Sequence, residues 1–325
     1  MTKYVISGYI GFDNFGDEAI AKVLVSHLKS IGAKKITVLS SNPEKTSRLY
    51  QIDSVNFLQF FTPIFKSDIL ISGGGSLLQD VTSLKSLIYY LAVIVTALVL
   101  NKKVIVFAQG FTPFRTKIGK AFTKFILKHC NKIYVRDGKS KEILALMDID
   151  SNIIPDPVFG MNIPTKNTKE GVGVQLRCFH TLTDDLKNKL AKEISSRFSN
   201  QTIKLFSLQD SLDLSVLEKF SQMLQKNGVN SKIYKGLSVE KAIEELSKLE
   251  YLIGMRFHAN LVCAKAGVKI LGINYDIKVL NLAKLVGFPI IGLNQDTFSE
   301  EFNQLLELDV TKYQIPEFRF PELEI

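Results

Sequence analysis

The amino-acid sequence predicts two α/β domains, each built around a mostly parallel β-sheet. Short apolar runs rich in Val and Ile, typical of buried parallel strands, alternate with longer segments of helical periodicity. This alternation occurs twice, and 325 residues are enough for two domains with a core each. The proline-containing, polar stretch Pro155–Glu170 separates the two series and is the predicted linker. We therefore assign residues 1–160 to the first domain and 161–325 to the second.

Each domain contains five strand candidates. In the first domain they are Tyr4–Ser7, Ile36–Leu39, Asp68–Ser72, Val104–Ala108 and Ile133–Val135, with helices expected at 17–31, 83–100, 117–131 and 138–147. In the second they are Val172–Leu176, Ile203–Phe206, Lys232–Tyr234, Tyr251–Ile253 and Ile270–Gly272, with helices at 183–197, 213–227, 238–248, 256–266 and 277–286. The segment 309–325 is too short for a domain and is expected to pack against one of the two.

The composition indicates a folded chain in a reducing compartment. Hydrophobic residues make up 46% and charged residues 22%, which excludes a disordered protein. Cys130, Cys178 and Cys263 lie far apart, which argues against a disulfide framework or a zinc site. The N-terminal segment shows no features of a signal peptide, so we expect a cytoplasmic protein. Metal motifs and a GxSxG elbow are missing from the sequence, which disfavours a metalloenzyme and a serine hydrolase.

The net charge of +9 belongs to the first half of the chain. Residues 1–160 contain 20 basic and 12 acidic residues, whereas residues 161–325 contain 21 and 20. A negatively charged partner is therefore expected at the first domain. The charge alone leaves phosphorylated metabolites, anionic lipid and nucleic acid open. Nucleic acid is disfavoured because no recognised motif or interleaved aromatic pattern supports it.

Much of this surplus lies in the predicted helix at 117–131 and directly after it. Its lysines recur at steps of three or four and predict one basic face of an amphipathic helix: Lys117, Lys120, Lys124, Lys128 and Lys132. Such a face suits anionic lipid headgroups, which would place the protein peripherally on the inner face of the cell membrane. The alternative is a solvated charged face over an ordinary core stripe. Separately, Ser86–Leu100 is uncharged but shorter than the roughly 20 residues of a spanning helix, so we expect it to be buried.

Candidate functional residues follow several strands of the first domain. The first strand leads into GYIGFDNFGDEAI, which includes Asn14 and Asp17, and Asp17 is either a helix cap or a functional carboxylate. The third strand ends in Gly73, Gly74, Gly75 and Ser76, whose backbone N–H groups suit an anion; the alternative is a glycine turn used for close packing. Gln109 and Arg136 follow the next two strands, and Arg136 is either an anion ligand or a salt-bridge partner.

In the second domain the segment GMRFHANL joins a strand to a helix. Arg256 and His258 lie at the predicted helix N-terminus, where backbone N–H groups already favour an anion. A fixed cation beside an imidazole suits binding of a phosphate and movement of a proton. The alternative for His258 is an ordinary structural histidine.

Taken together and in this order, GYIGFDNFGDEAI, ISGGGSLLQDVTS, VFAQGF, VRD, PDPVF, GMRFHA and GINYDIKV resemble the polysaccharide pyruvyl transferase family over about residues 4–290. The resemblance is greatest to the bacterial enzymes that modify cell-wall or envelope glycans. It implies transfer from phosphoenolpyruvate onto two hydroxyls of one sugar, giving a cyclic pyruvate ketal and phosphate, without a cofactor or metal. The implied acceptor is a glycan or an undecaprenyl-diphosphate-linked oligosaccharide. The implied fold is two Rossmann-like domains in a GT-B-like arrangement, with the site in the interdomain cleft.

The resemblance also implies roles for individual residues. Arg256, Arg136 and the backbone of Gly73–Ser76 would bind the donor, with Asn14 and Gln109 completing the binding set. His258 would be the general acid/base, and Asp17 would orient or deprotonate the sugar hydroxyl. The sequence departs from the family pattern at Asp13, Phe15 and Asn260, which bears on the acceptor side of the site.

Two other classes of function remain open from the sequence. A nucleotide-sugar glycosyltransferase shares the expected architecture. A non-catalytic protein that binds a membrane or a polymer could use the basic helix alone.

Overall fold

The computed structural model describes residues 2–80, 83–165, 168–293 and 298–323. The chain forms two compact units, the first comprising Met1–Met161 with Glu317–Ile325 and the second comprising Asn162–Pro316. The change of unit after Met161 falls inside the predicted linker, of which residues 166 and 167 lie outside the described residues.

The first unit contains a seven-stranded sheet in the order β3-β2-β1-β4-β5-β6-β7, and every described pairing in it is parallel. The strands are β1 (Lys3–Ser7), β2 (Lys35–Ser40), β3 (Asp53–Asn56), β4 (Ile69–Gly73), β5 (Lys103–Gln109), β6 (Lys132–Val135) and β7 (Asn152–Ile153). The helices are α1 (Phe15–Ser30), α2 (Pro43–Tyr50), α3 (Phe61–Phe65), α4 (Leu84–Val99), α5 (Lys117–Leu127) and α6 (Gly138–Ala145).

The second unit repeats this topology with six strands in the order β10-β9-β8-β11-β12-β13, again with parallel pairings. The strands are β8 (Val172–Gln175), β9 (Ile203–Phe206), β10 (Ser231–Tyr234), β11 (Tyr251–Gly254), β12 (Lys269–Asn274) and β13 (Ile290–Gly292). The helices are α7 (Asp184–Arg197), α8 (Asp210–Lys226), α9 (Val239–Ser247), α10 (Phe257–Lys265), α11 (Ile277–Val286) and α12 (Ser299–Glu307). Both strand orders are those of a Rossmann fold, which confirms the predicted fold class.

Local sequence explains where the elements begin. The central strands are continuous apolar runs because helices cover the sheet on both faces; all residues of β5 after Lys103 are buried. Five helices of the first unit begin at a polar residue whose side chain accepts a hydrogen bond from the first turn: Asn14, Asn42, Ser83, Thr116 and Asp137. These caps satisfy backbone N–H groups that have no partner inside the helix.

Helix α4 differs from its expected burial. One face is buried, including Leu87, Leu91 and Ile94, but the opposite face exposes apolar side chains such as Ile88 and Val99. The prediction of a buried helix therefore holds for one face only, since an uncharged run does not reveal which of its faces is covered. Within the part of the chain that the structure describes, no helix has the length and apolar character to cross a bilayer.

The lysine series also differs in its last member. Helix α5 ends at Leu127, and Lys132 begins strand β6, where its ammonium lies 3.6 Å from a carboxylate oxygen of Glu322. The sequence predicts Lys132 on the basic face of the helix. This prediction is wrong, because Lys132 lies in strand β6. The regular spacing continued across the end of the helix because the intervening turn has the same length as one more helical turn.

The C-terminal segment also departs from the assignment by chain order, because Glu317 onward groups with the first unit. The Phe320 ring stacks on His27 with centroids 3.5 Å apart, and its centroid is 6.0 Å from that of Phe107. Phe318 packs where Gly160 has no side chain. These aromatic contacts provide the physical reason for the return of the chain.

Candidate active site

The strand orders define one ligand-binding position in each unit. In open α/β sheets, ligands bind beyond the carboxyl ends of the strands where the strand order reverses, which is between β1 and β4 and between β8 and β11. The glycine segment Gly73–Ser76 follows β4, and the segment with Arg256 and His258 follows β11. Both sequence candidates therefore lie at the switch point of their own sheet.

The glycine segment packs against the start of helix α1. Gly74 and Gly75 have φ values of +60° and +74°, a conformation that L side chains rarely adopt. A β-carbon on Gly75 would lie 2.7 Å from Oδ1 of Asp17, so only glycine leaves room for this carboxylate. The cap of α1 is Asn14, whose Oδ1 accepts a hydrogen bond from the backbone of Gly16. The carboxylate of Asp17 thus faces the glycine segment while Asn14 supplies the cap.

Arg136 reaches the same segment from the end of β6. A β-carbon on Gly110 would lie 2.5 Å from Arg136 Nη2 and 3.0 Å from Ser76 Oγ, so the guanidinium and the hydroxyl share the space beside this glycine. The backbone N–H of Gly110 donates to the carbonyl of Gly75 at 2.8 Å, which fixes the end of β5 to the glycine segment. The structure therefore brings Asp17, Gly75, Ser76 and Arg136 together.

Two carboxylates hold the guanidinium of Arg136. Its Nη1 lies 3.6 Å from Asp156 Oδ2, and its Nε lies 3.9 Å from Asp137 Oδ2. Arg136 and Asp156 are both buried, and Asp156 also accepts a hydrogen bond from the backbone of Val158. Sequence reasoning gave no role to Asp156, although it lies in the PDPVF motif. The sequence did offer one indication: Asp156 is a carboxylate between two prolines, where it also caps the short 3-10 helix Pro157–Gly160.

Gln109 takes part in the sheet. Its side-chain amide donates to the carbonyl of Ser72 at 3.1 Å and to the Ser72 hydroxyl at 2.9 Å, and it is fully buried. It follows an irregularity in β5 where Ala108 has a φ of +50°. The contacts of Gln109 therefore hold β5 against β4 at the edge of the site.

A buried glutamate shapes the loop before α1. Glu18 accepts a hydrogen bond from the backbone of Gly11 at 2.7 Å and another from the Tyr50 hydroxyl at 2.6 Å. Burial raises the pKa of Glu18, although these hydrogen bonds partly oppose the rise. Glu18 was not singled out from the sequence because a glutamate in the first helical turn is ordinary.

Aromatic side chains from the loop before α1 and from helix α4 form a further group, and one of them, Tyr90, interacts with Asp17. Burial and the neighbouring Asp17 charge together raise the pKa of Tyr90. Tyr9 stacks on Phe12 with ring centroids 4.2 Å apart, and Tyr89 donates from its hydroxyl to the carbonyl of Phe57 at 2.9 Å. Half-buried Tyr9 and Phe12 offer a flat apolar surface with a polar edge in the loop between β1 and α1. Sequence reasoning missed this group because its members come from separate segments.

Asp80, at the end of the GGGSLLQD segment, ties that segment to helix α5. Its carboxylate accepts from the backbone N–H groups of Arg115 and Thr116, both at 2.8 Å, and from the Thr116 hydroxyl at 2.6 Å. Burial raises the pKa of Asp80, but these hydrogen bonds outweigh it and leave the pKa below its ordinary value.

In the second unit, Arg256 forms a buried ion pair with Asp213. Arg256 Nη2 lies 2.6 Å from Asp213 Oδ1, and Nε lies 2.9 Å from Oδ2. Arg256 is 7% exposed and Asp213 is fully buried. Among the described residues no hydrogen bond or ion pair of the remaining guanidinium nitrogen, Nη1, is found. One edge of the guanidinium is thus held by the protein, and the other can meet a ligand.

Two glutamines complete this network. Gln175, the last residue of β8, accepts from the Arg256 backbone N–H at 2.7 Å and donates to Asp213 at 3.2 Å. Gln209 accepts from Arg256 Nη2 at 3.2 Å. Sequence reasoning missed Asp213, Gln175 and Gln209 because the partners lie 43 to 81 residues from Arg256. The sequence offered one indication of a role for Asp213: it lies in the first turn of a helix that follows a strand.

His258 is the second residue of α10 and lies next to the ion pair in sequence. It is half-buried, and its ring meets that of Phe257 edge-on with centroids 5.0 Å apart. Asn260, one turn on, is fully buried and donates to the carbonyl of Gly254 at 3.1 Å. This departure from the family pattern therefore fixes the turn between β11 and α10.

Solved structures with the same fold include several proteins that act on or bind UDP compounds. One is Anabaena HepE in complex with UDP and glucose, with a TM-score of 0.67 at 8% identity; the match covers 97% of this chain and 92% of that chain. Two others are UDP-GlcNAc 2-epimerases. The enzyme from Neisseria meningitidis has a TM-score of 0.63 at 12% identity and covers 94% of this chain and 91% of its own. The enzyme from Methanocaldococcus jannaschii has a TM-score of 0.63 at 11% identity and covers 98% and 94%. At these identities the likeness shows the fold alone.

The sequence itself gives a more specific relationship. No curated protein sequence matches this chain significantly. The family model for polysaccharide pyruvyl transferases matches residues 14–277, a range that begins at Asn14 and includes Asp17, Arg136, Arg256 and His258. The chain belongs to the polysaccharide pyruvyl transferase family.

Proposed function

We propose that the protein transfers the pyruvyl group of phosphoenolpyruvate onto two hydroxyls of one sugar in a cell-surface glycan or its lipid-linked precursor. The observation that carries this proposal is the family match over residues 14–277, because it spans both clusters at the sheet switch points. The products are a cyclic pyruvate ketal and phosphate.

The donor carries a carboxylate and a phosphate, so it needs fixed hydrogen-bond donors. In the first unit these are the guanidinium of Arg136 and the Ser76 hydroxyl beside it. In the second unit they are Nη1 of Arg256 and the backbone N–H groups at the start of α10. The ion pair with Asp213 keeps the guanidinium of Arg256 from rotating, which reduces the entropy lost when the donor binds.

Two residues, His258 and Asp17, account for the proton transfers of this reaction. His258 protonates the methylene carbon of the donor, and C2 becomes an oxocarbenium-like electrophile. Asp17 accepts the proton of the first sugar hydroxyl as its oxygen bonds to C2. The bond from C2 to the phosphate oxygen then breaks, and phosphate leaves with the proton held by Asp17. The second hydroxyl attacks C2 and gives its proton to His258, which replaces the proton that His258 gave to the new methyl group, while the proton of the first hydroxyl has left with phosphate.

The test is incubation with phosphoenolpyruvate and candidate lipid-linked disaccharides, with mass spectrometry for an acid-labile ketal and an assay for released phosphate. We expect His258→Ala to lower kcat by about 100-fold or more, the usual contribution of a general acid/base. His180→Ala, which removes an exposed histidine of the same unit, is the matched control. A correctly folded His258→Ala protein with near wild-type turnover would overturn the assignment.

A nucleotide-sugar glycosyltransferase is the second candidate, because one solved structure with the same fold contains UDP and glucose. Consumption of a labelled UDP-sugar without phosphoenolpyruvate would support it. If the protein turns over neither donor, the non-catalytic alternative gains support.

A further inference from the structure

Helix α5 presents three separate faces. Gly119, Thr123, Ile126 and Leu127 are buried against the unit. A second stripe carries the exposed lysines Lys117, Lys120 and Lys128, together with Lys124, which pairs with Asp148. The third stripe is apolar and faces solvent: Ile118 is 69% exposed, Phe122 60% and Phe125 67%. An ordinary charged helix over a core stripe would bury these three side chains.

The neighbouring helices extend this apolar surface. Helix α4 packs between α3 and α5. Its outward face carries exposed apolar residues at helical spacing, namely Leu84, Ile88, Val95 and Val99. Helix α3 adds Phe61 and Phe65, both 59% exposed, with the ammonium of Lys102 6.0 Å from the Phe65 ring centroid. Most of the large apolar side chains that the described residues expose in the first unit belong to these helices or their flanks.

The charged residues of the three helices themselves have one sign, and Asp148, which pairs with Lys124, is an acidic neighbour. The sequences of α3, α4 and α5 contain no aspartate or glutamate. Exposed cationic side chains flank the apolar residues: Lys66, Lys85, Lys103, Arg115, Lys117, Lys120 and Lys128. Exposed aromatic and aliphatic residues beside lysines are the pattern of a helix that lies in the interface of a membrane. Lysines near such a surface add attraction to anionic headgroups.

We propose that the outward faces of α3, α4 and α5 dock the first unit onto an anionic membrane. The apolar side chains enter the boundary between headgroups and acyl chains, and the lysines contact the headgroups. The excess of positive charge favours an anionic lipid surface over a second copy of this chain, because two such faces would repel each other. The proposal does not depend on the donor or on the ketal chemistry.

The test is flotation of the full-length protein with vesicles of phosphatidylcholine alone or with 30% phosphatidylglycerol (about one anionic lipid in three). We expect binding to the anionic vesicles only. Lys117→Gln/Lys120→Gln/Lys128→Gln should weaken that binding on the order of 100-fold at low salt. Phe122→Ser/Phe125→Ser should remove the part of the binding that persists at high salt, because that part comes from apolar insertion.

Matched controls remove equally exposed residues elsewhere. Lys192→Gln/Lys219→Gln/Lys226→Gln takes three exposed lysines from the second unit, and Leu49→Ser/Leu285→Ser takes two exposed leucines from α2 and α11. Both controls should bind as the wild type does. The proposal is overturned if the wild type does not bind anionic vesicles, or if the control and test variants behave alike. It is also overturned if sedimentation shows a dimer that Phe122→Ser/Phe125→Ser abolishes while vesicles bind nothing.

Discussion

The carboxylate of Asp17 lies so close to Gly75 that a β-carbon on residue 75 would be 2.7 Å from its Oδ1. Gly75→Ala should therefore displace Asp17 and lower ketal formation, in addition to a backbone cost of about 1–2 kcal/mol at a φ of +74°. Gly32→Ala is the control, since its φ is +76° and no atom lies near its β-carbon. Equal turnover in the two variants would show that the position of Asp17 is unimportant for the reaction.

Gly110→Ala should act like a partial loss of Arg136. The new methyl group would occupy the place of Arg136 Nη2 and displace it from the Ser76 hydroxyl. A hydrogen bond to a charged group contributes about 1.5–3 kcal/mol, so KM for phosphoenolpyruvate should rise about tenfold or more. Gly138→Ala is the control, because nothing lies near a β-carbon there. Steady-state kinetics with varied donor distinguish the two variants.

Asp213→Asn should destabilise the second unit because it leaves the buried charge of Arg256 without its counter-ion. Breaking a buried pair from one side costs about 3–5 kcal/mol. Asp185→Asn breaks an exposed pair with Lys189 and should change the free energy of unfolding by less than about 1 kcal/mol. Urea denaturation measures both. In a double variant with Arg256→Met, much of the loss should be recovered, and simple additivity of the two losses would contradict the pairing.

Glu18 should make the protein less stable as the pH rises. Its folded-state pKa is raised above the ordinary value of 4.5, so its contribution to stability is fully present below that value. The contribution is lost as the pH rises through the folded-state pKa. Glu18→Gln should remove this dependence, whereas Glu307→Gln, at an exposed position, should keep it. Unfolding free energies between about pH 4 and pH 7 test this, and parallel profiles for wild type and Glu18→Gln would contradict it.

Asp80 should show the opposite dependence. Its folded-state pKa is below the ordinary value of 3.8, so it stabilises the protein above that value and loses this effect as the pH falls through the folded-state pKa. At neutral pH, Asp80→Asn should cost about 2 kcal/mol, because two backbone N–H groups and a hydroxyl lose a charged acceptor. Asp68→Asn, which changes an exposed carboxylate with one backbone partner, is the control. An acid limb that is unchanged in Asp80→Asn would refute the assignment.

The central elements of both sheets could be predicted from the sequence because buried parallel strands are apolar along their whole length. Strands β3 and β7 could not, since they lie at or near a sheet edge, are short and carry polar residues such as Asp53 and Asn152. The strand orders also could not be predicted from the sequence. They place Gly75 and Arg256 at the switch points of the two sheets.

Pairings that join distant segments were the other limit. Arg256 is visible as a cation at a helix start, but its partner Asp213 lies 43 residues earlier. In the same way, periodicity showed that α5 is amphipathic without showing that Phe122 and Phe125 face solvent. Both facts depend on which surfaces pack together, and a single sequence contains no direct signal for that.

The return of the chain to the first unit has a consequence for the order of folding. The Phe320 ring that covers Phe107 and His27 is synthesised only after the whole of Asn162–Pro316 has been translated. Until then, the surface of the first unit that Phe320 covers, at His27 and Phe107, remains exposed. The second unit is thus an insertion in the first, and the first unit can complete its aromatic contacts only after the second has been translated.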